Sequence, residues 1–98
     1  MTVELKLSVN DVPIDTDYFV AGFIDHTVSG MMESLEDTGP IKELNLLVDG
    51  DKVTINLNGA VVRSNDFVNK IIKGTLLGMV SVLKGVKGAQ KVNITLRK

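Results

Sequence analysis

The sequence predicts an α+β fold built from a duplicated β-α-β unit. The order is βαββαβ, ferredoxin-like, with an antiparallel sheet and two helices on one face. Three observations predict it: a self-match at a fixed offset, period-two alternation in four segments, and two stretches of helical length with helical periodicity.

When the chain is shifted by 48 residues, positions 5–48 fall on 53–96 without a gap, and 9 of the 44 pairs are identical. The identities are Asn10/Asn58, Phe19/Phe67, Val20/Val68, Ile24/Ile72, Thr27/Thr75, Gly30/Gly78, Met31/Met79, Leu35/Leu83 and Asn45/Asn93. Conservative pairs surround them, such as Leu7/Ile55, Ile14/Val62 and Leu46/Ile94. Two copies of this length do not make a solenoid, which needs three or more repeats. Residues 1–98 therefore read as one domain of two pseudo-symmetric repeats, 5–48 and 53–96.

The elements follow in order. Leu5-Leu7-Val9 and Val53-Ile55-Leu57 alternate with polar residues, as half-buried strands do. Asn10-Asp11 and Asn58-Gly59 are turn pairs that accept positive φ, so Val12–Ile14 and Ala60–Val62 are candidates for short extra hairpin strands. Thr16/Asp17 and Ser64/Asn65 offer N-caps. Helices are expected from Asp17 to Glu36 and from Asn65 to Lys84, stopped by Gly39-Pro40 and by Gly85 or Gly88. Leu44-Leu46-Val48 and Val92-Ile94-Leu96 alternate again as closing strands. Asp49-Gly50-Asp51 turns the chain between the units.

At 100° per residue the apolar arc of each helix fills half the wheel, wider than a minimal core stripe. Phe19, Phe23, Ile24, Val28, Met31 and Leu35 read as inward on the first helix. Phe67, Ile71, Ile72, Leu76, Met79 and Leu83 read as inward on the second. Met32, Leu77 and Val80 fall among polar residues. They are either surplus packing surface or a subunit interface. Gly30 and Gly78 sit mid-helix, each costing about 1 kcal/mol relative to alanine, which suggests a close helix approach at both.

Charge divides the chain. Residues 1–48 carry a net −7 and residues 49–98 a net +6. Complementary charge of this kind specifies orientation and partner more than stability. It suggests an ancestral unit that paired with itself, then diverged so that unlike halves pair.

Catalytic parts are sparse. The single histidine, His26, neighbours Asp25, but adjacent helical residues point about 100° apart and form no dyad. No cysteine is present, which removes thiolate metal sites and thiol nucleophiles. Asp49-Gly50-Asp51 lacks the calcium-loop pattern. Gly85-Val86-Lys87-Gly88 follows a helix instead of opening one, so it cradles no phosphate. No enzyme and no cofactor are expected. The expected open sheet face, including Lys6, Ser8, Asn45, Leu47, Thr54, Asn56, Asn93 and Thr95, holds no aromatic residue for base stacking, so RNA binding through the basic half is disfavoured.

The stretches FVxxFIxxTVSGMMxSL at 19–35 and FVxxIIxxTLLGMVxVL at 67–83 resemble small uncharacterised prokaryotic proteins. In those, a strand and an Asn-Gly turn precede a Phe-Val…Gly-Met helix. The first unit departs from that pattern with Asn10-Asp11. The resemblance implies no activity and no site residues.

The N-terminal stretch lacks a secretory h-region and no apolar run reaches membrane-spanning length, so a cytoplasmic protein is expected. The expected function is protein association as a homo-oligomer or adaptor, with Met32, Leu77 and Val80 in contact. A small-molecule regulatory domain is the alternative.

Overall fold

The computed structural model describes residues 4–35 and 40–98. Glu36 and Gly39, expected at the end of the first helix, lie outside the described residues. The elements are β1 (Glu4–Val9), β2 (Val12–Ile14), α1 (Tyr18–Leu35), β3 (Glu43–Asp49), β4 (Lys52–Leu57), β5 (Ala60–Val62), α2 (Asp66–Val80) and β6 (Lys91–Arg97). All strands join one antiparallel sheet in the order β2-β1-β6-β3-β4-β5.

Both hairpin strands are present. Their two-residue loops put Asn10 and Asp11 at φ 51° and 66°, and Asn58 and Gly59 at 51° and 83°. Positive φ at both loop positions matches the twist of the flanking strands.

These hairpins also set the strand order. A ferredoxin-like sheet places the opening strand of each unit at the centre, which needs both of its edges. Here β2 occupies one edge of β1 and β5 one edge of β4. Only the closing strands keep both edges, so β3 and β6 meet at the centre and β1 and β4 flank them. The α+β class stands; the ferredoxin-like strand order does not.

Strand parity builds the core. Leu7, Val9, Leu44, Leu46, Val48, Ile55, Leu57, Val92, Ile94 and Leu96 point to one face and are buried. Ile24, Val28 and Met32 of α1 and Ile72, Leu76 and Val80 of α2 cover them. No described element covers the opposite sheet face, and the described structure is 18 Å thick, room for one sheet and one helical layer.

The 48-residue spacing runs through the geometry. At the centre of the sheet Leu46 lies directly opposite Ile94, which is 48 positions on. Asn10 Oδ1 accepts from the backbone N–H of Gln90 and Lys91, both at 3.0 Å, holding the start of β6. Asn58 Oδ1 accepts from Lys42 and Glu43, at 2.8 and 3.0 Å, holding the start of β3. The N-caps correspond as well: Val20 donates to Asp17 Oδ1 at 2.7 Å and Val68 to Asn65 Oδ1 at 2.8 Å.

One boundary differs from expectation. α2 ends at Val80, short of Lys84. The Ser81 hydroxyl donates to the Gly78 carbonyl at 2.9 Å, and Gly85 then turns the chain at φ 88°. A serine that bonds local carbonyls competes with the helical ladder.

Candidate functional site

The helices place their apolar residues on two opposite sides. On a 100° wheel the sheet-facing arc centres on Ile24 and Val28 in α1, and on Ile72 and Leu76 in α2. Directly opposite, facing away from the sheet, are Phe19, Phe23 and Gly30 on α1, and Phe67, Ile71 and Gly78 on α2. Phe19 is 74% exposed, Phe23 54%, Phe67 65% and Ile71 50%; Tyr18, at the start of α1, is 97% exposed. The Phe19 and Phe23 rings touch, with centroids 6.1 Å apart.

Phe19 and Phe23 together expose on the order of 250 Å², taking each aromatic as roughly 150–250 Å², and Phe67 with Ile71 exposes a similar area on α2. Taken together, the two clusters match the area of the largest apolar patch on an ordinary monomer, about 300–600 Å². Hydroxyls on this face are turned inward. Thr27 donates to the Phe23 carbonyl at 2.8 Å and Ser34 to the Gly30 carbonyl at 3.0 Å. These two hydroxyls can lose their water without being orphaned.

The residues expected to form an interface lie elsewhere. Met32 and Val80 are in the core, 1% and 0% exposed, and Leu77 is half-buried against it. The sheet-facing arc also includes Asp25 and Lys73. Asp25 is buried and pairs with Lys98 at 3.0 Å, while its carboxylate accepts from Ser29 at 3.0 Å. Lys73 is part-buried and pairs with Asp51 at 2.7 Å. With these charges paired, the sheet-facing arc takes in Met32 and Val80, and the aromatic flank faces outward.

Gly30 and Gly78 correct a second expectation. Neither approaches another element: a Cβ built on either would meet nothing within 4 Å. Both face outward, between or beyond the exposed aromatics, so the chain itself contains no close helix approach at these positions.

The charge division resolves into contacts between the halves. Asp25–Lys98, Asp11–Lys91 at 2.9 Å and Glu43–Arg97 at 3.8 Å each join an acid of the first half to a base of the second. Asp11 holds the Lys91 ammonium above its ordinary pKa, first through the hydrogen bond and then through its charge. Lys91, Arg97 and Lys98 of the basic half are therefore engaged by acids.

The open sheet face is polar. The register aligns Lys6, Thr95, Asn45 and Asn56 in one row, and Ser8, Asn93, Leu47 and Thr54 in the next. Beside the short β2 it holds a shallow hollow of about 510 Å³ lined in part by Lys6, Ser8, Asp15, Asn93 and Thr95. His26 is exposed on α1. Among the described residues no three His, Cys, Asp or Glu side chains gather as metal ligands, and no helix is long and apolar enough to cross a membrane.

No protein-family model, curated protein or solved structure matches the chain.

Proposed function

We propose that the chain is a non-enzymatic association module, homo-oligomeric, whose working surface is the outer face of its helical layer. The carrying observation is the aromatic stripe of Phe19, Phe23 and Phe67, turned away from a complete core. Folding gains nothing from such a face. Exposed apolar clusters mark interaction sites, and a partner covering the whole face would add the polar rim between and around them toward the roughly 800 Å² each subunit contributes to a standard interface.

The proposal includes an origin. Element bounds, asparagine clamps and caps that recur 48 residues apart support duplication of one ββαβ unit. The ion pairs between the halves support divergence of the copies toward unlike pairing. The reducing, cytoplasmic setting belongs to the proposal too, supported by a chain without cysteine.

Size exclusion with light scattering tests the reading. Wild-type protein is expected to exceed monomer mass at high micromolar concentration. Phe23→Glu with Phe67→Glu is expected to run as a monomer with an unchanged circular dichroism spectrum. A wild type that stays monomeric at every concentration removes the proposal.

The hollow beside β2 favours a second reading, a small-molecule regulatory site. Its volume falls in the range of ligand pockets, about 300–1,000 Å³. Its shallow, open form ranks it second, because ligand sites enclose most of their ligand.

A further inference from the structure

Resting on the reading that the outer helical face is the working surface, we infer that its occupant is a second copy of this chain. The copies dock about a two-fold axis that lays α1 of one antiparallel on α2 of the other.

Each outer stripe is graded along its helix. The N-terminal half is bulky: Phe19 and Phe23 on α1, Phe67 and Ile71 on α2. The C-terminal half is small, with open space over Gly30 and over Gly78. Like halves laid side by side clash at one end and leave voids at the other. Antiparallel packing sets bulk against notch: Phe23 reaches the partner's Gly78, and Ile71 reaches the partner's Gly30. Helices with small residues at the contact approach more closely and bury more surface per residue.

The fold supplies the required geometry. The sheet order and its central Leu46–Ile94 pair relate the halves by an axis normal to the sheet, so equivalent elements run in opposite directions. A two-fold axis lying in the helical face then places α1 over the partner's α2 in antiparallel sense. Such an interface is isologous and closes at two copies.

Charge selects this pairing over α1 on the partner's α1, which satisfies the bulk rule equally well. Glu33 of α1 and Lys70 of α2 are exposed and flank their stripes on the same rotational side. In the register that seats Phe23 at Gly78, Glu33 lies beside the partner's Lys70, and the contact occurs twice. Pairing α1 with α1 offers Glu33 no base. This carries the unlike-half preference of the intramolecular ion pairs across to the second molecule.

Sedimentation equilibrium of the full chain at low and high salt tests the inference, with Glu33→Lys, Lys70→Glu, the double reversal, Gly78→Leu and Phe23→Glu. Each single reversal is expected to weaken dimerisation about three- to tenfold at low salt, from two exposed pairs turned repulsive. The double reversal is expected to restore it, and high salt to erase the differences. Gly78→Leu is expected to weaken association at least tenfold while the monomer's helix becomes more stable, since leucine is the better helix former. A structural role for Gly78 would move both quantities the same way. If Phe23→Glu gives a monomer but the double reversal restores nothing, the pairing is overturned and the surface reading stands. If Phe23→Glu leaves the dimer intact, the surface reading fails. A wild type that is monomeric but sediments with phosphatidylcholine vesicles assigns the face to lipid and overturns the second copy.

Discussion

Asp51 is almost wholly exposed, yet its carboxyl is held below the usual value of 3.8, first by the hydrogen bond from Lys73 and then by that ammonium's charge. A carboxyl held low in the folded state contributes stability that is present above 3.8. The contribution is lost as pH falls through the lowered value. For Lys91 the sign is opposite: its raised ammonium contributes below 10.5, and the contribution is lost as pH rises through the raised value. In a carboxyl-detected NMR titration, Asp51 is expected to ionise below 3.8 in the wild type and to return toward that value in Lys73→Met. A midpoint that ignores the substitution would show that Lys73 does not hold Asp51 in solution. Asp25 carries the larger structural consequence. Its pairing with Lys98 lets a charged residue sit over the sheet, and no pattern in the sequence distinguishes that aspartate from an exposed one.

At the scale of elements, the two asparagine clamps connect the halves. Each hairpin-loop asparagine holds the first residues of the other half's closing strand. Asn10 accepts from Gln90 and Lys91 and donates to the Gly88 carbonyl at 3.1 Å; Asn58 accepts from Lys42 and Glu43 and donates to the Pro40 carbonyl at 3.2 Å. Both residues also hold φ 51°, where alanine is strained by about 1–2 kcal/mol. Adding the three lost hydrogen bonds at about 1 kcal/mol each, Asn10→Ala and Asn58→Ala are each expected to lower stability by about 4–5 kcal/mol in urea denaturation. The two losses should be similar. A loss confined to one clamp would argue against equivalent roles. Strand alternation, turn pairs and N-caps were legible in the chain because each depends on neighbours in sequence. The clamps were not, because their partners are about 80 residues away for Asn10 and about 15 for Asn58. The facing of the helices was half legible. A wheel apolar over 180° shows that there is more apolar surface than one core needs, but not which flank the sheet takes. The sheet takes the flank that carries paired Asp25 and Lys73, so the surplus falls on Phe19, Phe23, Phe67 and Ile71 instead of Met32, Leu77 and Val80.

For the whole molecule, core and outer face make separable contributions. Ile24, Val28, Ile72 and Leu76 meet the sheet, and the fold is complete without the aromatic stripe. Substituting the stripe should therefore leave folding of the isolated chain intact. Association stabilises only the folded state, so melting temperature must rise with protein concentration wherever a dimer forms. Wild-type Tm is expected to climb by several degrees over a hundredfold rise in concentration, since 1 kcal/mol moves Tm by about 4–8 °C in a domain of this size. Phe23→Glu with Phe67→Glu is expected to melt at one temperature throughout, close to that of dilute wild type. Differential scanning calorimetry across the series reads both. A double variant that melts well below dilute wild type would place these phenylalanines in the core energetics of the monomer. A wild-type Tm that does not move with concentration would mean that the exposed face has no partner of its own kind.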